Sequence, residues 1–351
     1  MSLSDAAVER VLKGIPALTV GVLGDLFLDR YLDIDAALTE PSLETGLDAY
    51  QVVRVRPSPG AAGTVINNLA ALGVKQVVAL SVLGDDGEGY ELRQALGRLG
   101  RVHTDSVHVL RSGDFRTPTY TKPLLHEPGR PPRELNRLDI KNRIPLSPSA
   151  EQEVLRSLDQ WFARLDALIV LDQVSEADCG VVTGRVRKRL ADLGQAHPER
   201  FMLADSRQRI GFFQDVTLKP NRAECLATVS EAERQSCDLA WAACNLARRA
   251  RRPVFCTLGK EGVMLVEPTG ERQPPVFIPA YPVHGPIDIV GAGDSTNAGI
   301  ACAVAAGATL SEAAAFGNLV ASITIQQIGT TGTATPEQVR QRWQEVRPMS
   351  P

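Results

Sequence analysis

Short apolar runs rich in β-branched residues alternate along this chain with segments of helical period. The apolar runs predict buried strands at 17–24, 76–84, 167–172, 200–205, 215–221 and 253–259. The segments between them predict helices at 62–73, 87–100, 149–165 and 230–250. This alternation is typical of an α/β fold, in which helices cover both faces of a mostly parallel sheet. Ligands of such a sheet bind beyond the carboxyl ends of its strands, so the site residues are expected there.

Two regions interrupt the alternation. Residues 30–58 and 102–125 contain alternating segments such as "AYQVVRVR", which suit antiparallel strands. We interpret them as a small β-sheet lid inserted in the α/β core. The 351 residues are then expected to form one large domain, 1–351.

Composition excludes several classes of function. A net charge of −3 gives no broad basic surface, so nucleic acid is not an expected partner. No apolar run is long enough to span a bilayer, and the first residues lack a signal-peptide pattern, so no membrane partner is expected. The six cysteines are scattered, without a C-x-x-C pair, which favours a reducing cytoplasm over a zinc ribbon or a disulfide framework.

The stretch "DIVGAGD" (288–294) precedes an alanine-rich helical run. The free N–H groups at that helix start, with the helix dipole, predict an anion site suited to a phosphoryl group. Asp294 beside such a site could accept a proton from an attacking hydroxyl. The alternative from the local pattern is that Asp294 is only the cap of the helix.

This motif resembles the C-terminal signature of the ribokinase (phosphofructokinase-B type) sugar-kinase family. Further matches follow in the family's order at "GDLFLDRY" (24–31), "PGAAGTVINNLAALG" (59–73), "LKPNRAE" (218–224) and "TLGKEG" (257–262). Within the family, "LNRLDIKNR" (135–143) and "GNLVASITIQQIGTTGTA" (317–334) look like D-glycero-D-manno-heptose-7-phosphate kinases. The resemblance spans about residues 17–337 and implies a three-layer ribokinase-like fold. A stand-alone kinase is expected, transferring the γ-phosphoryl group of ATP to a sugar hydroxyl with Mg²⁺.

The resemblance assigns the catalytic and nucleotide residues. Asp294 becomes the base, and the anion hole is formed by the amides of Gly291, Ala292 and Gly293. Asn221 contacts the nucleotide phosphates and Glu224 holds Mg²⁺ through water, although the same pair fits a helix capping box. The positions that contact ribose and adenine are Leu258, Gly259, Lys260, Gly262 and Asn318. The alternatives are that Lys260 is solvated and that Asn318 bonds to backbone.

Other positions are assigned to the sugar and to a monovalent cation. Asp29 matches the carboxylate that holds substrate hydroxyls, and Asp25 is a second candidate, with a turn-forming role as its alternative. The remaining substrate positions are Gly60, Gly63, Thr64, Asn68, Lys122 and Arg137. A K⁺ site is implied at Asp288, Val290, Thr324, Gln327, Gly329 and Thr333. Asp288 could instead fix the turn by bonding neighbouring amides.

The sugar pocket departs from the family pattern. Ala61 replaces the second of two paired glycines, Thr64 replaces an asparagine, and Ser175 stands where heptose kinases have a lysine. A substrate that already carries a phosphate needs cations, for which Arg54, Arg116, Lys122 and Arg137 are candidates.

The leading hypothesis is therefore an ATP-dependent kinase for a sugar or sugar phosphate. A kinase of the same fold for a nucleoside or another small alcohol is the first alternative, and a non-catalytic binding protein is the second. An exposed lid edge such as "AYQVVRVR" favours a homodimer formed through lid strands.

Overall fold

The computed structural model describes residues 3–110, 115–231, 237–268, 274–329 and 331–347. The strands in these ranges are β1 (Thr19–Gly24), β2 (Leu26–Asp35), β3 (Glu40–Pro41), β4 (Asp48–Ala49), β5 (Val52–Ala61), β6 (Gln76–Gly84), β7 (Val102–His103), β8 (Val107–Leu110), β9 (Thr119–His126), β10 (Arg133–Glu134), β11 (Leu138–Ile140), β12 (Ala167–Asp172), β13 (Phe201–Ser206), β14 (Thr217–Leu218), β15 (Val254–Thr257), β16 (Val263–Val266) and β17 (Val276–Ile278).

The helices in the same ranges are α1 (Asp5–Gly14), α2 (Ala62–Leu72), α3 (Gly87–Gly97), α4 (Pro148–Phe162), α5 (Gly184–Ala196), α6 (Arg222–Ala227), α7 (Leu239–Ala250), α8 (Ala292–Ala305), α9 (Leu310–Thr324) and α10 (Pro336–Val346). α7 covers only Leu239–Ala250 of the helix predicted over 230–250, and residues 232–236 of that range lie outside the described residues. None of the helices in the described ranges is both long and apolar enough to cross a membrane.

A ten-stranded sheet forms the middle layer. Its order is β17-β16-β15-β14-β13-β12-β1-β6-β7, and β8 pairs with the far end of β6. Pairing is parallel from β15 to β7, whereas β16 and β17 are added antiparallel. The central strands β1 and β12 are buried almost throughout, as their continuous apolar sequences predict.

Helices cover both faces of this sheet. One core contains side chains from α1, α2, α3, α8, α9 and α10, and the other contains side chains from α4, α5, α6 and α7. The three-layer α/β fold expected from the sequence is thereby confirmed.

A smaller sheet in the order β10-β9-β2-β5, with β11 also paired to β9, is the lid. It begins at Leu26 and runs to Ala61 in β5, so it extends beyond 30–58 at both ends. The assignment of 102–125 to the lid holds for its last part, because β9 pairs with β2 in the small sheet. It needs correction for the first part, because β7 and β8 pair with β6 and extend the large sheet. Alternating apolar and polar residues suit an edge strand of either sheet, so the pattern could not distinguish edge strands of the large sheet from strands of the lid. Residues 111–114 of that segment lie outside the described residues.

Candidate active site

The start of α8 leaves backbone donors without a cap. Gly291 is the N-cap residue, with a φ of 81° that favours glycine, and no side chain in the described ranges caps the helix. The amide of Ala292 donates to the carbonyl of Ile289 at 3.1 Å, so it does not serve as the free anion-hole donor that was expected. Of the three predicted amides, those of Gly291 and Gly293 donate to no acceptor within the described residues, and Gly293 directly precedes Asp294.

A buried ion pair lies beside this turn. Lys219 Nζ is 2.9 Å from Asp205 Oδ2, and a Cβ at position 293 would be 3.6 Å from the same Nζ. Asn297, one turn further along α8, donates from Nδ2 to Asp205 Oδ2 at 2.8 Å. A cation thus adjoins the positive end of a helix dipole, an arrangement that attracts anions.

The charged neighbours shift the pKa of Asp294. Burial and the carboxylate of Asp205 raise this pKa from 3.8 to about 7, while Lys219 and Arg207 oppose the increase. Asp29 contributes a smaller increase, so the lid carboxylate and the helix carboxylate face the same cleft. A carboxyl group with this pKa can take up a proton near neutral pH.

Lys219 remains a cation in spite of its burial. Burial lowers its pKa, but Asp205, followed by Glu224 and Asp294, outweighs that effect and raises the pKa above its ordinary value. The ammonium is therefore charged whenever an anion approaches the turn.

Asn221 and Glu224 form the capping box that the sequence allowed. Asn221 Oδ1 accepts from the amide of Glu224 at 2.9 Å, and Glu224 Oε2 accepts from the amide of Asn221 at 2.8 Å. Burial and the nearby carboxylate of Asp205 raise the pKa of Glu224. Two carboxylates that repel each other fit a divalent cation. Within the described residues, no group of three or more acidic, histidine or cysteine side chains could hold a metal ion.

The loop 258–262 lies next to this capping box. The amide of Thr257 donates to the carbonyl of Pro220, and Thr257 forms a parallel bridge with Asn221. The loop is a short 3₁₀ turn closed by a 2.8 Å bond from the amide of Leu258 to the carbonyl of Gly262. Gly259 and Gly262 both have positive φ, and Lys260 is exposed.

Asn318 has a backbone role in this structure. Its Nδ2 donates to the carbonyls of Ile278 and Pro279 at 3.2 and 3.1 Å, which ties α9 to the end of β17. This is the alternative given for Asn318 above, and a nucleotide contact remains a prediction.

The lid contributes a second charged pair. Lys122 Nζ lies 3.2 Å from Asp29 Oδ1 and 4.8 Å from the centre of the Tyr31 ring. A Cβ at Gly60 would be 2.9 Å from Asp29 Cγ, so glycine leaves room for this carboxylate. Arg137 forms a bidentate pair with Asp139 and stacks 4.1 Å above the Tyr120 ring. Asp29 and Lys122 thus pair with each other on the lid, while Arg137 contacts Asp139 and Tyr120, and a substrate contact of all three remains a prediction.

Asp25 is occupied by backbone groups instead, whereas Asn68 is only partly so, since its Oδ1 is buried without a hydrogen-bond partner within the described residues. Asp25 accepts hydrogen bonds from the amides of Gln173, Val174 and Val181 at 2.7–3.1 Å. It therefore joins the end of β1 to the loop after β12, which corrects its assignment to the substrate. Asn68 donates to the carbonyl of Thr64 within α2 at 3.0 Å.

Gly63 and Thr64 lie at the start of α2. A Cβ at Gly63 would be 2.5 Å from Pro59 Cβ, so glycine permits close packing of α2 on β5. A Cβ at Gly291 would be 3.5 Å from Thr64 Cγ2, which places Thr64 against the turn that precedes α8.

The positions predicted for a monovalent cation are brought together by protein contacts. Asp288 accepts from the amides of Val290 and Gly329 at 3.0 and 3.3 Å, which is the turn-fixing role given as its alternative. Gln327 exchanges two hydrogen bonds with the backbone of Thr333. Thr324 Oγ1 lies 2.9 Å from Ser295 Oγ in α8.

Sequence reasoning missed several residues of the cleft. They are Asp205, Lys219, Arg207, Asn297 and Tyr120. Asp205 ends the predicted strand 200–205, so the rule that acidic residues at strand ends face the ligand could have identified it. No pattern in the sequence indicated that Asn297 bonds to Asp205.

The structure shows the surroundings of the residues at which the sequence departs from the family pattern and of one candidate for binding a substrate phosphate. Ala61, the N-cap residue of α2, has a φ of 52° and a ψ of −119°, a conformation that favours glycine. The carbonyl of Ser175 accepts from Arg209 Nη1 at 2.9 Å, and Arg209 also pairs with the buried Asp172. Arg116 is occupied by Asp86 and Glu88, which makes it a poor candidate for binding a substrate phosphate.

The architecture and the cleft define a ribokinase-like fold. The ribokinase of Arabidopsis thaliana, solved with ribose and ATP, superposes with a TM-score of 0.64 over 93% of this chain and 98% of that chain, at 18% sequence identity. Residues 216–338 match the model of the pfkB family of carbohydrate kinases, and this range contains Asn221, Glu224 and Asp294. Over this range the chain is similar to the carbohydrate kinases of that family.

Longer proteins are also similar to it. The bifunctional protein HldE of Pelobacter propionicus is 30% identical over 335 residues, which cover 94% of this chain and 64% of that protein. HldE of Trichlorobacter lovleyi is 29% identical over 334 residues, again covering 64% of its length. The chain thus spans less than two thirds of the length of these relatives.

Proposed function

We propose that this chain transfers a phosphoryl group from ATP to a hydroxyl of a sugar or sugar phosphate. The observation that carries the proposal is the position of Asp294, in the first turn of an uncapped helix and beside the buried Lys219. Free N–H groups and an ammonium stabilise phosphoryl oxygens. The adjacent carboxylate, with a pKa of about 7, can remove the proton of the attacking hydroxyl.

Each group of the cleft then has a defined task. Asp29 accepts hydrogen bonds from sugar hydroxyls, and Asp294 takes the proton of the hydroxyl that attacks. The amide of Gly293 and the ammonium of Lys219 hold the phosphoryl oxygens.

The nucleotide and ions have candidate positions. ATP would supply the phosphoryl group, and Mg²⁺ would neutralise its oxygens. Glu224, with Asn221, would hold the hydrated Mg²⁺, and the loop 258–262 would contact ribose and adenine. The turn fixed by Asp288 and the loop at 327–333 are the proposed site of K⁺.

Cations beside the lid support an acceptor that already carries a phosphate. Lys141 and Gln173 line the same small pocket as Tyr120, and Arg207 Nε donates to Gln173 Oε1 at 2.8 Å. Within the described ranges neither Lys141 nor Arg207 forms an ion pair with a carboxylate. Both are thus free to bind a phosphate, and Arg207 offers a planar, bidentate group. A heptose 7-phosphate is the particular acceptor we propose, because the sequence resembles that branch of the family.

We further propose a homodimer formed through the lid, in the cytoplasm. β5 is an edge strand of the small sheet, and Val52, Val53 and Val55 on it are 44–57% exposed. An exposed apolar edge strand pairs readily with another copy. Light scattering of the wild type and of Val53→Lys would test this, with a monomeric wild type counting against it.

The activity is tested by measuring ADP release with a panel of sugars, sugar phosphates and nucleosides. We expect sugar phosphates to stimulate ADP release, with little release from Asp294→Asn. Arg207→Gln and Lys141→Gln should raise KM for the phosphorylated sugar at least about tenfold, since each loses a charge-assisted bond. Stimulation by nucleosides alone would contradict the sugar assignment, and no stimulation by any acceptor would contradict kinase activity.

A further inference from the structure

A second cavity lies at the amino-terminal ends of β13, β14 and β15 in the large sheet, away from Asp294. It has a volume of about 180 Å³ and is lined by the first residues of β13, by Thr217 and Pro253 at the starts of β14 and β15, and by α8 and α9. Val304, on its wall, follows Asp294 by ten residues in α8, a separation of about 15 Å along the helix axis. A molecule bound there would not occupy the catalytic cleft.

Two arginines on the wall of this cavity are held in place by carbonyl groups. Arg252 donates to the carbonyls of Pro198 and Gly194 at 2.8 and 2.6 Å. Arg200 donates to the carbonyls of Leu165 and Ala163 at 2.8 and 3.2 Å. These bonds fix both guanidinium groups before any ligand arrives.

The positive charge of these arginines is only partly balanced. Within the described residues Arg252 forms no ion pair, and the carboxylate closest to Arg200 is Glu199 at 3.9 Å. Asp215, the other acidic residue on the wall, is already paired with Arg251. A guanidinium has five N–H donors, and each of these two uses only part of them in the carbonyl bonds. The others remain available to an anion, with no carboxylate partner at Arg252 and only a distant one at Arg200 within the described residues.

The remaining wall is largely apolar, with side chains from Met202, Pro253, Val304 and Leu310. A charged group next to apolar walls is typical of a site for an organic ion. We propose that this cavity binds a small organic anion, a carboxylate or phosphate ester with an apolar body, at a site separate from the catalytic cleft. The anionic group would lie between Arg200 and Arg252, and the apolar part against Val304 and Leu310.

Calorimetric titration of the full chain with benzoate and with phenyl phosphate, at constant ionic strength, tests the proposal. We expect one saturable site with a Kd of about 1 mM or below for at least one of the two probes. Val304→Phe, which fills the cavity, and Arg252→Gln, which removes a charge, should each weaken binding about tenfold or more. Circular dichroism would establish that both variants are folded.

Lys219→Met is the control, because a probe bound at the catalytic turn would lose affinity in that variant. Unchanged binding in Lys219→Met, together with loss in Val304→Phe and Arg252→Gln, supports the separate site. Absence of saturable binding up to about 10 mM of both probes would overturn it. Loss of binding in Lys219→Met but not in Val304→Phe would also overturn it, since the anion would then lie at the catalytic turn.

Discussion

Lys219 Nζ and Asp205 Oδ2 are 2.9 Å apart, and their side chains are only 4% and 11% exposed. This pair adjoins the helix start that carries Asp294, so the ammonium is available to a phosphoryl group while Asp205 keeps it charged. A buried pair of this kind depends on both partners, because removing one leaves the other charge uncompensated.

Lys219→Met should therefore reduce both turnover and stability. Loss of a donor to the phosphoryl oxygens should lower kcat by about 10²–10³-fold, and the unpaired Asp205 should cost about 3–5 kcal/mol of unfolding free energy. Steady-state kinetics and urea unfolding measure the two effects. The double variant Lys219→Met/Asp205→Asn removes the unpaired charge, so it should recover most of the stability but not the turnover. Turnover within about threefold of wild type in Lys219→Met would contradict the role of its ammonium.

Asp294→Asn should stabilise the protein at alkaline pH. The pKa of Asp294 rises from 3.8 to about 7 on folding, so its contribution to stability is complete below about pH 4 and is lost as the pH rises through 7. Asparagine does not ionise, and the variant should gain about 2 kcal/mol over wild type above pH 7, roughly half the full linkage value because the carboxyl is partly solvated. Urea unfolding from pH 4 to pH 8 measures this, and a constant difference over that range would argue against the raised pKa.

The pH dependence of turnover should reflect the same carboxyl group. Only ionised Asp294 can accept a proton, so kcat/KM should rise with pH and level off above about 7. Asp205→Asn removes a negative neighbour and should move the midpoint to lower pH, whereas Arg207→Gln removes a positive one and should move it to higher pH. Rate profiles of the three proteins check this, and shifts in the same direction would refute the assignment of Asp294 as the titrating group.

The fold could be predicted from sequence because its strands are buried on both faces and so form continuous apolar runs, as in 167–172, which the structure reproduces as Ala167–Asp172. The boundaries of the lid could not, because a half-buried edge strand such as Val107–Leu110 has the same alternation in either sheet.

The residues of the site also differ in whether the sequence could identify them. Asp294 belongs to a compact motif whose chemistry is local, and the structure places it at an uncapped helix start. Asp205 and Lys219 act as a pair through contacts between separate strands, which spacing in the sequence does not reveal. Asp25 looked like a substrate ligand by its position at a strand end, yet its partners are amides almost 150 residues away.

Ala61→Gly should stabilise the protein. Ala61 has a φ of 52° and a ψ of −119°, where its Cβ is strained by about 1–3 kcal/mol and glycine is not. Glycine costs about 0.5–1 kcal/mol in backbone entropy, so a net gain of about 1 kcal/mol in unfolding free energy is expected. The matched control is Ala196→Gly at the exposed end of α5, where the substitution should instead cost up to about 1 kcal/mol. Urea unfolding of both variants measures these changes, and equal losses at the two positions would show that Ala61 is not strained.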